Sequence, residues 1–361
     1  MRRHDVDAIR VIALGLLIIY HILISFQPWA KVIYFIPNKQ SLEHLWVLME
    51  MINIWRIPIL FVVSGMGICF AMRRRTWVEL LKDRTVRIFV PFMFGMFFVV
   101  PIFLNIFNMY YGLDLFWFPL PGHLWFLGNI FLYVIILLPF LYYLKKEPLN
   151  VFVGVVGKLI AKPGGIIFLF SIPLFVQTLI VNPKNYSGFA LDLPHGLSHG
   201  FICFFCGFLF ALLAENFWSA VKNLRFITLI MAFSLYLLRT LYPDIFPAGL
   251  VSNLFLAFES TNWILAAFGF GTTYLNKNSP LLNYSRIAVF PIYIVHLPIQ
   301  FFVASIFFPL PFPSIAKLIV LIVATFGLSI LVFELLKRVK WIGFLFGIKI
   351  EQVSLTEDRR V

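Results

Sequence analysis

The chain is 361 residues long, 61% hydrophobic, 18% aromatic and only 12% charged, with a mean hydropathy of +0.94. That balance excludes a soluble globular domain and indicates an all-α, polytopic integral membrane bundle. The net charge of +13 does not indicate nucleic acid, because Lys and Arg fall in short clusters between apolar runs and line no single soluble face.

Ten apolar runs have the length, about 17 to 25 residues, that crosses a bilayer as a helix. They lie near 6–26, 46–71, 87–107, 124–144, 165–181, 198–214, 225–241, 251–275, 286–308 and 316–336. The first follows Arg2 and Arg3 in the manner of a signal peptide. No small-residue cleavage site precedes "QPWAK", so a retained helix is expected. An even number of spans puts both termini on one side of the membrane. Lys and Arg crowd that side, with Arg2, Arg3, the run from Arg73 to Arg87, Lys145, Lys146, Lys158, Lys162, Lys222, Arg225, Lys277, Arg286 and the C-terminal residues. The opposite loops hold only Lys31, Lys39, Lys184 and Lys317, so both termini are expected in the cytoplasm. Residues 1–345 then form the transmembrane domain and 346–361 a short cytoplasmic tail, with loops too short for a second globular domain. Cys69, Cys203 and Cys206 sit in apolar runs and read as small core residues.

Ionisable groups inside spans cost about 2.5 kcal/mol or more each, so they face a protein interior or a wet cavity. The first span, "DAIRVIALGLLIIYH", carries Arg10 and His21. Their spacing returns to within about 20° of one helix face, about 16 Å further along the axis. Arg10 can also snorkel to lipid phosphates beside Asp7, and His21 can serve as a neutral imidazole satisfied by a neighbouring helix. In "AMRRRTWVELLKDRTVRIFVPF" the guanidinium forks of Arg84 and Arg87, one turn apart, suit a phosphate or pyrophosphate arriving from the cytoplasm, or anionic lipid head groups. His123 and Trp125 open the fourth span in "PGHLWFLGNIFLY". In the ninth, Tyr293, His296 and Gln300 at i, i+3 and i+7 form one polar stripe beside Pro298, either a site or a structural hydrogen-bonding seam. Glu50, Arg56, Arg239 and Glu259 are further intramembrane groups, and Arg56 is expected to pair with one of the two glutamates. His195, His199, Cys203 and Cys206 share a helical face but spread over about 16 Å, too far for four ligands to surround one ion, so no metal site is assigned.

Five stretches, in this order, resemble the acyltransferase-3 membrane proteins of bacteria: "DAIRVIALGLLIIYH", "RIPILFVVSGMGICFAMRRR", "DRTVRIFVPF", "HLWFLGNIFLY" and "YIVHLPIQ". The "HLWFL" run, "YIVHLPIQFF" and the ending "LVFELLKRVKWIGFLFGIK" look most like the glucans biosynthesis protein C branch, which succinylates periplasmic glucans. The resemblance implies a multi-pass protein of the bacterial cytoplasmic membrane with no permanently bound cofactor. It implies transfer of an acetyl or succinyl group from acyl-CoA as co-substrate to a hydroxyl of an extracytoplasmic carbohydrate. Arg10 and His21 match the family's essential first-helix pair, and Arg84 and Arg87 its donor-side arginines. His123, Trp125, Tyr293, His296, Arg56 and Glu259 are the further candidates. A transporter, or a non-catalytic subunit of an envelope complex binding lipid or polysaccharide, is the alternative reading of the same intramembrane groups.

Overall fold

The computed structural model describes residues 2–146, 150–246 and 249–348. Most of the expected C-terminal tail, from residue 349 on, lies outside the described residues. The elements are helices throughout the described residues: α1 (His4–Ile24), α2 (Trp46–Met72), α3 (Trp77–Tyr110), α4 (Trp125–Lys146), α5 (Val151–Ala161), α6 (Gly165–Val181), α7 (Leu193–Leu212), α8 (Ala214–Leu241), α9 (Leu250–Phe270), α10 (Pro280–Phe307), α11 (Ser314–Leu336) and α12 (Lys340–Leu345). Nine helical segments among them are long and apolar enough to cross a membrane, and α5 with α6 makes a tenth if that pair, bent by 120°, is one span. The chain is therefore a multi-pass membrane protein built as an all-helical bundle.

Three boundaries differ from the sequence reading. The segment around Lys158 is helix α5, not a loop; at 11 residues it is too short to register as a span. Its start is capped by Asn150, whose side chain accepts from Phe152 N and Val153 N. Helix α7 begins at Leu193, five residues before the apolar run suggests, because Asp192 caps it by accepting from His195 N at 3.1 Å. Helix α3 begins at Trp77, so Arg84 and Arg87 lie within it and not at its start.

Helix α3 is interrupted by two π-helical turns, Thr85–Phe89 and Gly95–Val99. Each comes immediately before a Val-Pro pair, ending in Pro91 and Pro101. Proline lacks an N–H and crowds the carbonyl four residues back, so the ladder widens at that point.

The chain divides into two compact units. The first comprises Met1–Ala13, Glu50–Leu81 and Leu132–Leu282; the second comprises Leu14–Met49, Lys82–Phe131 and Asn283–Val361. In the first unit α2 and α7 meet backbone to backbone. A Cβ on Gly65 would stand 1.9 Å from Phe204 O, and one on Gly207 would stand 2.0 Å from Val62 O. Lipid offers no hydrophobic drive for helices to associate, so such small-residue contacts, which let backbones approach, supply packing energy instead. In the second unit a Cβ on Gly95 would collide with Leu124, 2.2 Å away.

Replacing Gly207 with Ala is expected to destabilise the protein by about 1–3 kcal/mol through overpacking. Gly15, in α1, has nothing within 4 Å of its would-be Cβ, so Gly15→Ala should be neutral or stabilising by up to about 1 kcal/mol. Thermal unfolding of the two purified variants beside the wild type checks the pair.

Candidate active site

The second unit draws together three histidines. Pro298 leaves the carbonyl of Ile294, four residues earlier in α10, without its ladder donor. His123, in the 3-10 turn Gly122–Leu124 ahead of α4, fills the gap with Nε2 at 3.1 Å from Ile294 O. The Tyr293 phenol donates to His123 O, so the turn and α10 are clasped in both directions. Nδ1 of His296 lies 2.6 Å from Tyr293 O, and its Nε2 lies 2.9 Å from Nδ1 of His21. The two imidazoles stack with centroids 5.1 Å apart and planes 16° from parallel. Gln300 Nε2 donates to His21 O at 2.8 Å and reaches Ser25 Oγ at 3.3 Å, covering a carbonyl that the end of α1 would otherwise leave open.

These contacts fix the proton positions. A carbonyl oxygen only accepts, so His296 carries its proton on Nδ1 and, when neutral, has a bare Nε2. That nitrogen accepts from Nδ1–H of His21, which leaves the lone pair of His21 on Nε2. This is the form of imidazole a general base requires. Tyr293, His296 and Gln300 are 1%, 0% and 0% exposed, whereas His21 is half-buried. Phe35, Phe301 and Phe103 run past the imidazoles in unbroken ring contact and shield these hydrogen bonds from water.

Also in this unit, Arg84 immediately precedes the first π turn and Arg87 lies within it. Asp83 Oδ1 takes Arg87 Nε at 3.0 Å, and its Oδ2 stands 3.9 Å from Arg84 Nε. Asp83 thereby orients the guanidinium pair from within the same helix. Trp125 opens α4, half-buried, two residues after His123.

In the first unit Arg10 lies 3.4 Å from Asp7, which also holds Arg2 at 2.7 Å. Arg10 Nη2 lies over Gly67 of "SGMG", 3.6 Å from where a Cβ would stand, an ordinary van der Waals distance. Arg56 is buried, and both glutamates, Glu50 and Glu259, form ion pairs with Arg239. Arg239 Nε donates to Glu259 Oε2 at 2.7 Å, its Nη1 lies 3.7 Å from Glu50 Oε2, and Trp263 Nε1 donates to Glu259 Oε1 at 3.2 Å. Spacing along the chain does not reveal the Arg239–Glu259 pair, which the packing of α8 against α9 brings together.

Sequence reasoning also missed a second histidine network in this unit. His195 Nε2 lies 2.8 Å from Tyr186 O and its Nδ1 lies 3.1 Å from Gln177 Nε2. Gln177 Oε1 in turn lies 3.4 Å from His199 Nδ1. Burial pushes the Tyr186 phenol well above its ordinary pKa, so it stays protonated beside the histidines. Gln177, a lone amide in the apolar run "IPLFVQTLIV", was the available signal.

Glu259 is 0% exposed, so removing its guanidinium strands a charge. Arg239→Ala is expected to cost about 3–5 kcal/mol, and Arg239→Met combined with Glu259→Gln distinctly less. Thermal unfolding of the two variants in detergent checks the order.

The chain matches the family model of the acyltransferase domain, acyltransferase-3 type, over residues 3–334. No curated protein and no solved structure matches it. The matched segment runs from the start of α1 into the last turn of α11 and so contains the histidine chain, Arg10, the Arg84–Arg87 pair and the Arg239–Glu259 pair. The chain belongs to the acyltransferase-3 family and is an integral-membrane acyltransferase that transfers groups other than aminoacyl groups.

Proposed function

We propose that this acyltransferase moves an acetyl or succinyl group from a cytoplasmic acyl-CoA to a hydroxyl of an extracytoplasmic carbohydrate, in the cytoplasmic membrane of a bacterium. The observation that carries the reading is the hydrogen-bonded order Tyr293 O, His296, His21, which puts a lone pair on Nε2 of a half-buried imidazole. In the reaction His21 Nε2 takes the proton of the acceptor hydroxyl as its oxygen attacks the thioester carbonyl. The C–S bond breaks, the ester forms, and the imidazolium returns the proton to the CoA thiolate. His296 touches no reacting atom; it holds the His21 ring and its tautomer, and is a positioning residue. Arg84 and Arg87 receive the phosphates of the donor, where a planar guanidinium pair gives directional, charge-assisted hydrogen bonds. Arg10 is assigned to the donor's path, as its match to the first-helix pair of the family suggests. The resemblance to the glucans biosynthesis protein C branch favours succinyl as the group and a glucan as the acceptor.

The test uses purified protein in phospholipid nanodiscs with labelled acetyl-CoA and succinyl-CoA, following CoA release and label on added glucan. Wild type should turn over one donor. His21→Ala should lose about 100-fold or more in kcat with unchanged yield and monodispersity. His296→Ala should lose about 10- to 100-fold in kcat with little change in donor KM. His296→Gln, which restores an acceptor opposite His21 Nδ1, should recover part of that loss, which a purely structural role would not give. Arg84→Ala and Arg87→Ala should raise donor KM. No donor consumption by wild type with any acceptor, or full activity in His21→Ala, overturns the reading.

A further inference from the structure

The turn between α1 and α2, within the second unit, carries aromatic rings in single file. Trp29 packs edge-on against Trp46 with centroids 4.8 Å apart at 81°. Trp46 packs on Tyr20 at 5.4 Å, and Tyr20 on His21 at 5.5 Å. Trp29, Trp46 and Tyr20 are all half-buried, whereas Phe35, the other aromatic neighbour of His21, is buried. Immediately ahead of Trp46, the short turn Glu43–Leu45 exposes Glu43 and His44, and Ser41 Oγ donates to Glu43 Oε1 at 2.8 Å.

Tryptophans that only anchor a helix end at a bilayer interface need no order among themselves. Here three partly exposed rings lead to one imidazole, and an exposed carboxylate and a second imidazole stand just ahead of the middle ring, Trp46, in the chain. Trp and Tyr combine a large apolar face with an N–H or O–H at the edge. A pyranose has the complementary character, with a C–H face that stacks on a ring and equatorial hydroxyls that reach its edge and a carboxylate. A lipid acyl chain would use the faces and leave Glu43 and His44 without purpose.

We infer that Trp29, Trp46 and Tyr20 form an acceptor subsite for an oligosaccharide chain, holding sugar units beyond the one that presents its hydroxyl to His21. This rests on the acyl-transfer reading above and deepens it, since it assigns the further sugar units of the acceptor to named rings.

The test again uses phospholipid nanodiscs, which avoid glycoside detergents that would compete. The probes are glucose and linear α- and β-linked glucose oligomers of increasing length, with binding read by tryptophan fluorescence in the absence of acyl-CoA and acyl transfer read separately. Expected is affinity that rises with oligomer length and then levels. Trp46→Ala and Trp29→Ala should each raise acceptor Kd and KM about tenfold, with Trp46→Phe close to wild type. Trp341→Ala, at an exposed ring outside the subsite, should bind and turn over like wild type. Glucose binding as well as its oligomers, a Trp29→Ala/Trp46→Ala double variant that binds like wild type, or a wild type that binds no oligomer overturns the subsite. Oligomer binding that depends on these tryptophans in a protein that consumes no acyl-CoA would retain the subsite and sink the acyl-transfer reading instead.

Discussion

A backbone carbonyl inside hydrocarbon has no water to turn to, so every gap in a helix ladder must be closed by another part of the protein. This chain makes such gaps with proline and closes three of them with side chains. Pro58 opens the carbonyl of Ile54, and Ser260 Oγ donates to it at 2.8 Å. Pro101 opens Phe97 O, which takes Trp117 Nε1 at 2.9 Å, and Pro298 opens Ile294 O, which takes His123. In each case the proline sets where two segments of its own unit must touch. Ser260 is next to Glu259, and His123 is tied to the chain that ends on His21, so these repairs lie at the polar centres of both units.

The candidate site follows from the same constraint carried one step further. Tyr293 O fixes the tautomer of His296, and His296 fixes that of His21. A bare imidazole on α1 would have two tautomers and a rotating ring; the chain from α10 leaves one of each. The stacking of the two rings and the Gln300 contact to His21 O hold both the ring and the end of its helix. The same Gln300 reaches Ser25, so the polar stripe of α10 fastens the last turn of α1 along two helical turns.

Much of this was legible in the sequence, and the reasons differ by residue. Spans are legible because about 20 apolar residues in a row have few alternatives to crossing a bilayer. The Tyr293, His296, Gln300 stripe is legible because i, i+3 and i+7 share a helix face. Its partner is not, since no local rule links α10 to the end of α1, and the same is true of the pairing of Arg239 with Glu259. The early start of α7 was written in Asp192, Leu193 and Pro194, an N-cap followed by proline in the first turn, but the hydropathy of the run masked it. The two π turns of α3 were written in Pro91 and Pro101, whereas the kind of repair each proline receives depends on what packs beside it.

The two histidine networks share their hydrogen-bond order and differ in exposure. In the first unit Tyr186 O orders His195, Gln177 and His199 in the same manner as Tyr293 O orders His296 and His21: the carbonyl takes Nε2–H of His195, Gln177 relays, and His199 donates from Nδ1. Both networks therefore end on an imidazole whose Nε2 carries the lone pair. His199 is 1% exposed and ringed by Tyr186, Phe189 and His195, so no acceptor hydroxyl reaches its nitrogen. His21 has the same electronic preparation on a half-buried ring at the end of a file of aromatic side chains. Ordering by hydrogen bonds prepares an imidazole for proton transfer, and exposure is what distinguishes His21 from His199.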